Sequence, residues 1–285
     1  MRPWARIFLI GLVLWVATVV VTAWTGNASL VPTVVLFGSF LVPVTFVVWA
    51  YGRGRSPRVT VERLFMAFVV GGVLGVLGAS LLESWLIRPS IIMYVLVGLI
   101  EEGVKLAALM FVTRHMDRRG TRDGVVLGAT VGFGFAAFES SGYAFNALFT
   151  ADGLSLAQLV ETELLRGVLT PVGHGLWTAI AGGVLFAAGG RFRMPVVLTY
   201  LGVSLLHALW DSMTAIAIAI TLVLTGRPWQ FALLRVGRVP DVTAWQAHVY
   251  TALNWAGLIV ISLVALAWLR AVMSSARREP KILSQ

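Results

Sequence analysis

Apolar residues fill this chain in long runs, without the spacing of an amphipathic helix or a half-buried strand. Eight runs stand out, at roughly 4–24, 30–50, 62–82, 90–113, 124–148, 164–188, 195–224 and 246–270, separated by short polar gaps. A run of about 20 apolar residues is what an α-helix needs to cross the hydrocarbon core of a bilayer. The pattern predicts an all-α fold: a polytopic membrane helical bundle of about eight transmembrane helices, with 1–285 as a single integral-membrane domain. The first run, within "MRPWARIFLIGLVLWVATVVVTAW", exceeds a signal-peptide core and lacks a small-x-small cleavage site, so it reads as a retained first helix.

Charge adds the orientation. The gaps "YGRGRSPRVTVER", "RHMDRRGTRDG" and "GRFRMP", with both tails, hold 16 of the 22 Lys and Arg residues. The opposite gaps hold Arg88, Arg227, Arg235 and Arg238, with Arg166 near a helix start. By the positive-inside rule both termini face the cytoplasm. The net charge of +9 is therefore a topology signal, and the partner it implies is the lipid bilayer, not nucleic acid. A chain that is 58% hydrophobic and 12% charged is not a soluble globular protein. With no cysteine, disulfides, Cys-ligated metals and thiol nucleophiles are excluded. Twenty of the basic residues are Arg, which we read as the mark of a GC-rich bacterial genome.

Two further features concern packing and access. Gly71, Gly75 and Ala79 recur every fourth residue inside an apolar run, the spacing of close helix contact in lipid. The gaps 149–163 and 225–245 are the longest outer connections, and either could cover a site.

The segment "SIIMYVLVGLIEEGVKLAALMFVT" (90–113) breaks the apolar rule with Glu101, Glu102 and Lys105 near its middle. A charged residue at the centre of a membrane helix costs about 2.5–3.5 kcal/mol on insertion scales, so such residues are functional candidates. Four more lie inside predicted helices: Glu139, His174, His207 and Asp211. Spacings of four place Glu101 with Lys105, Phe135 with Glu139, and His207 with Asp211 on shared helix faces. At a rise of about 1.5 Å per residue, Glu101 and His174 both fall about 15–16 Å from the outer ends of their segments, with His207 level with them. Four helices thus bring polar groups to one depth, as a single site requires. Four carboxylates against Lys105 would leave a net −3, so either some carboxylates keep their protons or a bound cation compensates. Structural readings stand beside these: Lys105 as a neutraliser of Glu101, His174 as an interhelical hydrogen-bond donor, and Phe135, Trp177 and Trp210 as packing.

These residues also carry a resemblance. "EEGVK" (Glu101, Glu102, Lys105) resembles the EExxK motif of PrsW-type intramembrane proteases, "FAAFE" (Phe135 to Glu139) their FxxxE motif, and "HALWD" (His207 to Asp211) their HxxxD-like motif. His174 matches the additional family histidine. The ordered set spans about 92–213 and marks 90–213 as the catalytic core helices. The wider group includes the CAAX prenyl endopeptidases and immunity-type proteases; there the second motif usually ends in His, and Glu139 here favours the PrsW branch.

The resemblance implies hydrolysis of a peptide bond of a membrane-anchored protein, such as an anti-sigma factor, in or near a bacterial cytoplasmic membrane. Glu101 or Glu102 would act as general base towards water. His174, His207 and Glu139, with Asp211, would either hold one divalent metal such as zinc or stabilise the oxyanion directly. The linear HExxH signature is absent, and both mechanisms stay open. Two other functions compete: a proton- or cation-coupled transporter, against which the two halves show no inverted repeat, and a non-catalytic scaffold or sensor.

Overall fold

The computed structural model describes residues 1–53, 56–88, 90, 92–116 and 120–276. The Arg-rich connections at 51–63 and 114–123 fall partly outside these residues, as does the basic tail from 277 onward. The chain is almost entirely helical: α1 Pro3–Thr25, α2 Val31–Arg53, α3 Val61–Val69, α4 Gly75–Leu86, α5 Met93–Thr113, α6 Thr121–Ala147, α7 Leu156–Leu169, α8 His174–Ala187, α9 Met194–Thr225, α10 Pro228–Arg235 and α11 Ala244–Ala276. A two-residue hairpin pairs β1 (Phe149–Thr150) with β2 (Gly153–Leu154). Among the described residues, seven helical stretches are long and apolar enough to cross a membrane. The eighth expected span, α5, has 21 residues and carries its three charged side chains close together near its middle. The protein is a multi-pass membrane protein.

The third span is α3 and α4 joined through a π-helical turn, Val70–Leu74. That wider turn sets not only Gly71 and Gly75 but also Gly72 against α6, where added Cβ atoms would meet Val131, Phe135 and Phe138. Ala79, the last of the predicted small residues, is buried too. The expected close packing is present, and its partner is α6. The α6–α8 pair is the most extensive in the bundle. Gly124, Gly128 and Gly132, one per turn of α6, lie against the backbones of Gly182, Thr178 and His174, so any side chain there would force the helices apart.

The sixth span departs from the sequence reading. A helix was expected over 164–188; the structure starts it eight residues earlier and breaks it. Helix α7 begins at Leu156, capped by Ser155 Oγ, and a 3-10 turn over Thr170–Val172 separates it from α8. Pro171 explains the break, because it has no N–H to continue the helical ladder. The outer gap is therefore only the hairpin and its flanks, and Arg166 sits within α7 instead of near a helix start. In the connection after α9, Gln230 and Gln246 exchange amide hydrogen bonds (2.9 and 3.0 Å) and close α10 onto the start of α11. No residue of 226–245 lines the main polar cavity.

Candidate active site

Helix α5 packs on α9 so closely that a Cβ on Gly98 would meet the backbone at Ser204. Tyr200 Oη donates to Leu99 O at 2.7 Å across the same interface. This fixes Glu101 and Glu102 opposite His207. The helix break before α8 places His174 as that helix's first residue, beside Phe135 of α6 (ring centroids 5.3 Å apart). Four helices converge on one point for these local reasons.

The centre of the cluster is Lys105, which is fully buried. Its Nζ donates to Glu102 Oε1 at 2.7 Å, Glu101 Oε2 at 3.1 Å and His174 Nδ1 at 2.8 Å. It also lies 4.1 Å from the centroid of the Phe135 ring, so Phe135 contributes a cation–π face as well as packing. Because His174 Nδ1 accepts from the ammonium, its Nε2–H donates to Glu139 Oε2 at 3.0 Å. His207 Nδ1 donates to Glu102 Oε1 at 3.0 Å, and its Nε2 lies 3.2 Å from Asp211 Oδ2 and 3.7 Å from Glu101 Oε2. Trp177 packs on the His207 ring with centroids 4.8 Å apart. All seven residues expected to form a site are in one connected network.

The network has a floor and a wall. A cavity of about 490 Å³ is lined by Glu101, Glu139, His174 and Asp211, whereas Glu102, Lys105 and His207 lie beneath its surface. The two adjacent glutamates thus differ: Glu101 faces the cavity, and Glu102 is consumed by Lys105 and His207. Residues from α4, α6 and α7 complete the wall, among them Glu83, Tyr143 and Arg166. Arg166 pairs with Glu139 Oε2, donates from Nε to Ser140 Oγ at 2.7 Å, and stacks over Tyr143 at 4.3 Å.

Sequence reasoning missed Arg166 and Glu83. Arg166 was set aside as a charge near a helix start, and Glu83 lay one residue beyond the expected end of its helix. The available signal was that each is an ionisable residue adjoining an apolar run.

A family profile described as "PrsW family intramembrane metalloprotease" matches residues 4–236. The chain belongs to the PrsW family. A relative, "Protease PrsW" of Halalkalibacterium halodurans, is 28% identical over 170 residues, covering 57% of this chain and 72% of the relative. No solved structure matches the chain. Of the three functions considered from sequence, membership of the PrsW family carries one: the protein is an intramembrane protease.

The PrsW description implies a metal, and the donor set can be tested against it. Glu101, His174 and His207 each offer a ligand atom, all within 4.8 Å of one another. His174 Nδ1 and His207 Nε2 lie 3.9 and 3.7 Å from Glu101 Oε2. The opposite nitrogen of each ring donates to a carboxylate, Glu139 and Glu102 respectively. Imidazoles oriented in that way are the usual pattern of metal-binding histidines. By residue type and spacing these three fit a divalent cation, which would have to take the place of the Lys105 ammonium, since Nζ donates to the same His174 Nδ1 and Glu101 Oε2. Glu139, a ligand candidate from sequence, here accepts from His174 and Arg166.

Proposed function

We propose that this protease cleaves a membrane-anchored protein substrate, with Glu101 as the general base that takes a proton from the attacking water. The single observation that carries this reading is the division between the two glutamates: Glu101 is the one open to the cavity, and its inner oxygen rests on Lys105. Lys105 holds both carboxylates and the His174 ring in fixed register, so little reorganisation is needed when the proton moves. Glu102 orients His207 through Nδ1, leaving Nε2 directed towards Glu101 and Asp211 at the cavity floor. Of the two imidazoles it is His174 that lines the cavity, where negative charge would develop on the scissile carbonyl. Glu139 fixes His174, and Arg166 fixes Glu139. A divalent ion such as zinc, held by Glu101, His174 and His207, would supply Lewis-acid polarisation of the carbonyl and a more acidic water.

Both termini face the cytoplasm on this reading, in a bacterial cytoplasmic membrane. The cavity wall, which includes Glu83 of α4, Tyr94 of α5 and Tyr143 of α6, then opens towards the extracytoplasmic side. An anti-sigma factor cut on that side is the substrate the family resemblance supports. The helices carrying the network, within 90–213, form the catalytic core of a single membrane domain spanning 1–285.

The test is Glu101→Gln, which keeps shape and hydrogen bonding but removes the basic site. Cleavage of a single-pass membrane peptide should fall by about 10²-fold or more, and the variant should retain uncut substrate. Wild-type turnover by Glu101→Gln would refute the assignment.

A further inference from the structure

The cavity wall holds four carboxylates, Glu83, Glu101, Glu139 and Asp211, and one guanidinium, Arg166. Three of the four are engaged: Glu101 by Lys105, Glu139 by Arg166 and His174, and Asp211 by His207. Glu83 is different. Among the described residues it has no ion pair, and its Oε1 is buried without a hydrogen-bond partner. The residue as a whole is half-buried and lines the cavity, so a charge-assisted partner entering there would pair a carboxylate that the protein itself leaves without a counter-ion. No hydrogen bond or ion pair joins it to the catalytic network, although Glu139, His207, Lys105 and Asp211 lie within electrostatic reach, and it belongs to α4, which supplies none of the catalytic groups.

Position narrows what could bind there. Glu83 is three residues from the outer end of α4 (Leu86), and Glu101 is eight residues from the outer end of α5 (Met93). At about 1.5 Å per residue, Glu83 stands about 7–8 Å nearer the outer surface than the proposed base. An extended peptide covers that distance in about two residues at roughly 3.3 Å each. A Lys or Arg side chain from such a peptide has an ammonium or guanidinium to give and a flexible stem to reach with.

We propose that Glu83 is a specificity-determining residue that binds a basic side chain of the substrate, about two positions to the outer side of the scissile bond. The proposal rests on the placement of that bond at Glu101. It predicts a substrate with Lys or Arg in the short stretch between its cleavage point and its extracytoplasmic portion.

The experiment uses the purified full chain in lipid vesicles and one single-pass peptide whose cut has been mapped by mass spectrometry. The second residue on the outer side of the cut is made Lys, Gln or Glu in turn. Wild type should cleave the Lys peptide about tenfold faster than the Gln peptide, the size of one charge-assisted hydrogen bond, chiefly through KM, with the Glu peptide slowest. Glu83→Gln should remove that ranking and Glu83→Lys should reverse it. Equal rates for the three peptides in wild type, or a Lys preference that survives in Glu83→Gln, would overturn the proposal. The Glu101→Gln variant separates the two readings. If it cleaves the mapped peptide at the wild-type rate and keeps the Lys preference, with Glu83→Gln added abolishing that preference, the catalytic assignment fails and this one stands. Equal affinities for the three peptides would sink it independently of turnover.

Discussion

Glu101 in α5 and Glu163 in α7 are both buried carboxylates in membrane-spanning helices of this protein, and their surroundings have little in common. Glu101 belongs to a network of Lys105, His174 and His207, and opens on a polar cavity. Glu163 accepts one hydrogen bond, from Trp15 Nε1 at 2.9 Å, and its Oε1 has no partner. It faces an apolar groove of about 370 Å³ between α1, α2 and α7, walled by Leu12, Leu41, Val42 and Phe46. Gly38 makes room for it, since a Cβ there would collide with the carboxylate. Burial alone therefore does not mark a catalytic acid in a membrane. What separates the two is a second set of ionisable groups within reach and an opening through which a polar substrate and water can enter. Glu163 pins α1 to α7, and α7 in turn presents Arg166 to Glu139.

The sharpest way to break that contrast is to remove Lys105. Lys105→Met leaves Glu101 and Glu102 buried without the ammonium that bridges them. Losing one partner of a buried pair costs about 3–5 kcal/mol, so this variant should lose cleavage and also unfold earlier in detergent. Retained activity with an unchanged melting profile would show that the network does not depend on its ammonium.

A metal is the next largest effect. Purified protein should carry close to one divalent ion by elemental analysis, and His207→Ala should lose it, whether or not activity is assayed. Chelation should abolish cleavage, and zinc should restore it. Full activity in metal-free protein would assign the chemistry to Glu101 and the imidazoles alone.

Arg166 tests the bridge between the two regions. It pairs with Glu139, which accepts from His174, the contact expected of a positioning residue, and removing such an outer partner commonly costs about 10–100-fold. Arg166→Gln should lower kcat within that range, and Arg166→Lys should recover part of the loss because it still places a cation beside Glu139. No recovery by Lys, together with a lowered melting temperature in both variants, would indicate a purely structural role.

Glu163 should show the smallest effect. Glu163→Gln keeps an acceptor for Trp15 and so should leave kcat close to wild type, with a melting shift of about 2–4 °C at most. A loss comparable with that of Glu101→Gln would erase the distinction drawn here between the two carboxylates.

The membrane character, a helical bundle of about eight spans and the identity of the clustered residues were legible from the residues alone. Those features are written in one dimension: apolar run length is set by bilayer thickness, and polar residues inside such runs are conspicuous because hydrocarbon penalises them. Spacings of four placed Glu101 with Lys105 and His207 with Asp211 before any fold was known. Which of these residues face the cavity and which lie beneath it emerged from helix packing. That Glu101 and not Glu102 lines the cavity depends on the α5–α9 contact at Gly98, and the exposure of His174 depends on the helix break at Pro171. Arg166, Glu83 and Glu163 stayed illegible because each lies at or beyond the edge of a predicted span, where a charge is ordinary. Their surroundings come from other helices distant in the chain, and periodicity along one helix carries no information about which neighbour it will meet.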